Sequence, residues 1–467
     1  KGISFGANIN ASTSYDETIY RLNDIPLQRE GIIDTALLVL HDWSGFINNN
    51  DKDIDEERGV VGEEWRTRSS GYLRAIENGI NPAIFAGTPY ATRIPIGSID
   101  VINHFKYQEL RDYYKKWYRP DLQAIIIIGD IDEATVIAKL TRLFADIPAP
   151  VHPGPRIYTP IPDNKQPIVA IAADPEIRSV SLQVCWKIPV IPFEQRSSLR
   201  AFKMSVINRL ISARLMNRIY QKTDTAGSPL ASASVNISSF QIAATRQALT
   251  MYLTPAGDKN ALDALRIALA EAERMRRFGI TDAEIAEYTK SEAMLAEMSA
   301  ADKNNHENFE FFERSKSMFT DNRPFPPEEW TDKTTSQILS SLSADTVNYW
   351  IRQYITDENM VYIFQGPQKD DFPLPAKDDI VSAWAVVKNM PLEPYKLKDK
   401  KPEDDLTALK PIGGKIIKTE PAPFGYTQWT LSNGMRVQFK NTGYDESKLV
   451  LYGYSPGGYS LVPQKDL

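Results

Sequence analysis

The strongest constraint on the fold is a pattern that occurs twice. Leu110 to Gly129 reads as helix, short gap, apolar strand and glycine, and Val347 to Gly366 reads the same way. In the first copy the helix stops at Pro120, and Ala124-Ile125-Ile126-Ile127-Ile128-Gly129 follows. In the second, Val347–Tyr354 precedes Met360-Val361-Tyr362-Ile363-Phe364-Gln365-Gly366. An apolar run of strand length closed by glycine predicts a fully buried strand. Two such units predict two copies of one α+β fold, each a mostly antiparallel sheet packed with helices, plus the start of a third domain.

At 467 residues the chain is too long for one core. Prolines 148, 150, 153, 155, 160 and 162 mark a linker, and a second stretch is rich in Lys and Asp. The expected domains are therefore 1–148, 166–395 and the opening of a third at 424–467, with linkers at 149–165 and 396–423. In that third segment Asn433-Gly434 signals a hairpin turn, and Lys448–Tyr454 reads as a further strand. Val101–Tyr118 reads as one long helix.

A net charge of −6 with both signs interspersed argues against nucleic acid as a partner. No run approaches the ~18 apolar residues of a membrane span. One cysteine, Cys185, rules out an intramolecular disulfide framework, and its alternating surroundings point to a buried structural thiol.

Asp55–Arg66 reads as a helix on which Glu57 and Glu64 stand seven positions apart, nearly two turns, so they share one face. They are about 10 Å apart along the axis, too far for both to bind one metal ion. A glutamate pair on a charged helix is, taken alone, usually a solvated face. Its company is more informative. Asn10-Ala11-Ser12-Thr13-Ser14-Tyr15-Asp16-Glu17-Thr18 precedes an apolar helix and then Glu57-Arg58-x-Val60-Val61-x-x-Glu64. Pro89-Tyr90, Pro95-Ile96-Gly97, Tyr114-x-x-x-Tyr118-x-Pro120, Phe278-Gly279-Ile280-Thr281 and Leu431-Ser432-Asn433-Gly434 follow in order.

Taken together, these motifs resemble the pitrilysin/insulinase family of zinc peptidases over nearly the whole chain. The resemblance implies a zinc-dependent endopeptidase acting on unfolded peptides or oligopeptides. It implies Glu64 as the metal ligand from this helix, with Glu57 supporting the site. Glu63 competes, and the offset from Glu57-Arg58 favours Glu64. Asn10, Ala11, Ser12 and Thr13 would bind substrate as an edge strand. The family's H-x-x-E-H is not present: none of His41, His104, His152 and His306 lies in it. The chain therefore reads as a fragment without the zinc-binding helix, itself holding no Zn2+ and lacking the second half of its protein. A non-catalytic scaffold or partner subunit of the same fold is the alternative. The compartment is not legible; a bacterial periplasm or cell envelope is favoured over cytoplasm.

Overall fold

The computed structural model describes residues 4, 6–301, 306–369, 374–397, 413–444 and 449–463. The chain forms two compact units, Lys1–Ala293 with Glu307–Tyr395, and Met294–His306 with Lys396–Leu467. The architecture is α+β.

The first unit opens with an antiparallel hairpin of β1 (Ile9–Thr13) and β2 (Thr18–Leu22). Helices follow: α1 (Ile32–Gly45), α2 (Asp51–Arg68), α3 (Gly71–Ala75), α4 (Asn81–Ile84), α5 (Ile99–His104), α6 (Tyr107–Trp117) and α7 (Glu133–Phe144). A mixed sheet then runs in the order β3-β7-β4-β6-β5. Its strands are β3 (Ile168–Asp174), β4 (Ser181–Ile188), β5 (Leu230–Phe240), β6 (Ala243–Pro255) and β7 (Met360–Pro367). Only β3 and β7 run parallel. Helices α8 (Leu199–Thr223), α9 (Ala261–Phe278), α10 (Asp282–Ala301), α11 (Asn308–Asp321), α12 (Glu328–Ser341), α13 (Ala344–Tyr354) and α14 (Lys377–Lys388) complete the list.

The period-two pleat sorts the sheet's side chains between two cores. Leu182, Val184, Trp186 and Ile188 of β4 and Met360, Tyr362 and Phe364 of β7 join Leu210, Leu265, Ala268 and Ile351 from α8, α9 and α13. Cys185, Val361 and Ile363 face the other way, onto Ile80, Ile84, Phe85 and Tyr90. Covered on both sides, β7 is buried along its whole length, which is why it reads as an unbroken apolar run. Burial also pushes the Cys185 thiol up to about 11, so it is an inert structural group.

The cover on the second face is the helical run Gly71–Ile84, which contains a wide π turn at Ile76–Ile80. It approaches β3 closely at Gly79, where a Cβ would lie 2.8 Å from that of Ala172. Arg74 grips Asp174 through two bonds of 2.9 Å, and the Gly71 amide donates to Glu176 at 2.7 Å. Residues 149–165 carry no helix or strand but are fastened to the sheet. Lys187 donates to the Pro162 carbonyl, Arg246 pairs with Asp163, and the Asn164 amide donates to Asn359 at 3.0 Å.

Four expectations change. Val101–Tyr118 is broken at Phe105 into α5 and α6, because Arg58 binds the Ile102 and Phe105 carbonyls while Glu109 caps the Lys106 amide at 2.8 Å and restarts the helix. Residues 124–128 form no strand; no described strand lies beside them to share a ladder, and Ile125 is 41% exposed. In the second unit β8 (Ile416–Ala422), β9 (Tyr426–Leu431) and β10 (Arg436–Phe439) make an antiparallel sheet in the order β10-β9-β8. The hairpin turns at Gly434 (φ 87°), but β8 lies where a linker was expected. Lys448 lies outside the described residues, and 449–454 are not a strand. Among the described residues no helix is long and apolar enough to cross a membrane.

Candidate functional site

Asn10, Ala11, Ser12 and Thr13 all fall on β1, and all four are exposed. The hydrogen bonds of the hairpin fix which backbone groups they offer. The Asn23 amide donates to the Asn8 carbonyl and the Ser14 amide to that of Glu17, both at 2.8 Å. By antiparallel alternation, the backbone groups of Asn10 and Ser12 therefore turn toward β2, and those of Ala11 and Thr13 turn outward. The outward amide of Ala11 is held by its neighbour, donating to Asn10 Oδ1 at 2.8 Å. That bond covers one donor of an otherwise open edge and can be exchanged for another acceptor.

The hairpin is seated firmly. Tyr20 packs against Trp43 in a tilted ring pair with centres 5.1 Å apart and shares a 2.7 Å hydroxyl–hydroxyl bond with Tyr118. Burial and that bond push the Tyr20 phenol far above its ordinary range. At the turn, the Tyr90 hydroxyl donates to both oxygens of Asp16 at 2.7 and 2.9 Å, and Asn81 donates to the Tyr15 hydroxyl at 3.0 Å. The sequence segment Ser14–Thr18 is thus the anchor of the edge strand.

Glu57 and Glu64 lie on α2, whose start is capped by Asn50 accepting from the Asp53 amide at 3.0 Å. This helix buries only Ile54, so side-chain bonds rather than an apolar face hold it. Arg58 is the main one: besides the two carbonyls above, its guanidinium lies 3.9 Å from the Phe105 ring centre and takes Asp55 at 3.2 Å. Asp55 in turn accepts from Tyr107 at 2.8 Å. Glu64 pairs with Arg68 on its own helix at 2.8 Å, Glu63 pairs with Arg66, and Glu57 is exposed.

The described residues contain no group of three or more His, Cys, Asp or Glu placed to hold a metal ion. Catalytic zinc takes three protein ligands, so the donors this chain brings together do not by themselves fit a zinc centre, and no step through the metal is derived. The histidines are otherwise engaged: His41 is buried between Asp42 at 3.1 Å and Asp146 at 3.0 Å, and His104 bonds Asp100 at 3.1 Å. His152 lies exposed in the proline-rich segment.

The family model described as "Peptidase M16 inactive domain" matches residues 104–291. The chain is 25% identical over 478 residues to the probable zinc protease PqqL of Escherichia coli, covering 100% of this chain and 49% of that protein. It is 23% identical over 469 residues to a zinc protease PQQL-like protein of Arabidopsis thaliana, covering 100% of this chain and 45% of that one. The crystal structure of the first half of the periplasmic protease PqqL from Escherichia coli superposes with a TM-score of 0.72 at 21% identity, covering 85% of this chain and 83% of that one. The chain thus resembles the pitrilysin/insulinase (M16) family of zinc peptidases over its whole length. It spans about half the length of the relatives it matches.

Proposed function

We propose that these residues form one half of a zinc-dependent endopeptidase that cleaves unfolded peptides or oligopeptides. The observation that carries this is the alignment of the entire chain with about half of a probable zinc protease. In this reading, Glu64 supplies one metal ligand, Glu57 supports the site, and the remaining ligands and the second half of the enclosure come from outside these residues. An extended peptide pairs with β1 through the outward backbone of Ala11 and Thr13, displacing Asn10 from the Ala11 amide. Main-chain pairing of that kind tolerates many sequences. We assign 1–148 to the zinc-bearing domain, 149–165 to a linker, and 166–395 to a non-catalytic domain of the same fold. The third domain starts with β8 (Ile416–Ala422), ahead of the expected boundary at 424. The family relation to a periplasmic protease favours the periplasm.

The test is made on the full-length protein. Metal analysis should find about one zinc per chain, an unstructured fluorogenic peptide should be cut in a chelator-sensitive manner, and Glu64→Gln should lose both. A Glu64→Gln protein with unchanged zinc removes Glu64 from the site. A second reading, a non-catalytic scaffold or partner subunit, is favoured by the match to an inactive domain. Full-length protein that holds no zinc yet co-purifies with an active relative would establish it.

A further inference from the structure

The turn of the β1–β2 hairpin is seated in a core that belongs to another sheet. Tyr15 packs against the cluster that covers the second face of the five-stranded sheet. A row of rings leads inward from it. Tyr15 meets Tyr90 edge-on with centres 5.8 Å apart, Tyr90 lies 5.5 Å from Phe85, and Phe85 lies 5.5 Å from Phe240 at the end of β5. Phe85, Tyr90 and Phe240 are all buried. The polar ends of the two tyrosines are engaged as well: Tyr90 donates to both oxygens of the exposed Asp16, and Tyr15 accepts from the buried Asn81. Burial, aided by the bond to Asp16, holds the Tyr90 phenol far above its ordinary range, so it stays a donor near neutrality. Asp16 is three positions from Thr13, whose backbone faces outward from the hairpin.

We propose that Tyr90, acting through Asp16, is a positioning residue for peptide binding: it fixes the free edge of β1 relative to the five-stranded sheet. The proposal rests on the edge-strand reading above. A two-stranded hairpin is marginally stable by itself, so β1 is only as fixed as its seating. Tyr20 holds β2 against Trp43 and Tyr118, and the Tyr90–Asp16 bonds hold the turn. Without those bonds the chain around Thr13 samples other positions, and a peptide that pairs there must first order it. Main-chain pairing to β1 is made alike by substrate and transition state, so the ordering cost enters KM and leaves kcat. The Tyr90 ring supplies packing; its hydroxyl sets where the edge stands.

The experiment uses full-length protein and an unstructured fluorogenic peptide long enough to span the five residues of β1. Cleavage is read as kcat and KM, binding by fluorescence anisotropy, and zinc by metal analysis. Tyr90→Phe keeps the ring and loses both bonds; it should raise KM about tenfold with kcat and zinc content unchanged. Asp16→Ala, a change at an exposed position, should do the same, and the double variant should be no worse than either, since both act through one contact. Asp16→Asn keeps an acceptor and should recover most of the loss. An unchanged KM in Tyr90→Phe and Asp16→Ala overturns the positioning role while the peptidase reading stands. A fall in kcat at constant KM marks a purely structural tyrosine and overturns it too. If the peptide is bound but not cut, weaker binding by Tyr90→Phe supports the positioning role and removes the peptidase reading. If the peptide is neither bound nor cut, both are overturned.

Discussion

Arg218 and Glu284 are each 1% exposed, a charge pair almost wholly removed from water. Arg218 reaches both Glu284 oxygens at 2.9 Å and the Gly279 carbonyl at 2.9 Å, while Glu284 accepts from the Thr281 amide at 3.0 Å. Glu284→Gln strands the guanidinium, and a loss of about 3–5 kcal/mol is expected from urea denaturation. Arg218→Met with Glu284→Leu should recover most of it, because the cost lies in the unpaired charge. His41 offers a pH signature. Burial alone would lower its pKa, but its bonds to Asp146 and Asp42 outweigh that and hold it above the ordinary value. A raised folded pKa means the pairing stabilises fully below about pH 6.5 and is lost as pH rises through the folded value. The melting-temperature gap between the native protein and His41→Gln should therefore shrink from about pH 6 to pH 8.5; a gap that is constant or widens contradicts the pairing. The buried thiol of Cys185 was legible from the strand pattern around it. The bond from the Ala11 amide to Asn10 was not, because whether an Asn folds back on its neighbour depends on which way the strand edge faces.

Among the elements, α2 is held by one side chain more than by any other. Its single buried residue supplies little apolar stabilisation, whereas Arg58 joins it to α5 and to the Phe105–Lys106 break by stacking and two carbonyl bonds. Arg58→Lys keeps the charge but removes the planar fork, so a loss of about 1.5–3 kcal/mol is expected. Hydrogen exchange should show it as faster opening of residues 51–68 ahead of the sheet. If those amides stay as protected as in the native protein, something else holds the helix. The break between α5 and α6 escaped the sequence for the same reason: the apolar periodicity runs on through Phe105, and the residue that ends the helix comes from more than forty positions away. The two apolar runs also came out differently. Met360–Phe364 gained neighbours on both sides and became β7, while 124–128, equally apolar, has no described strand beside it. Hydrophobicity specifies that a segment seeks a ladder, and only the rest of the chain supplies one. β8 escaped for a related reason, since all of its side chains but Glu420 and Ala422 are exposed, leaving no apolar pattern to read.

For the molecule as a whole, the decisive quantity is how many metal ligands these residues can bring to one point. The fold and the family resemblance were legible because they rest on many motifs in order; a metal centre rests on three atoms, and the chain shows the limit of reading it from one helix. His41 is committed to two aspartates, His104 lies on the surface of α5, and His152 sits in the proline-rich segment with a left-handed backbone (φ 54°). Glu64 alone is a carboxylate already paired with Arg68. The 467 residues by themselves are therefore expected to bind zinc no more tightly than scattered surface carboxylates do, and to cleave no peptide, with no three-ligand site among the described residues and no H-x-x-E-H in the sequence to supply the general base. Titration calorimetry of the metal-stripped chain should show no stoichiometric site. Its melting temperature should also stay unchanged on adding zinc, since a ligand that bound the native state would raise it. The full-length protein should show both a site and a zinc-dependent rise in melting temperature. Tight, equimolar zinc on the 467 residues alone would mean that the ligands lie within them, and Glu57 and Glu64 would have to be reassigned.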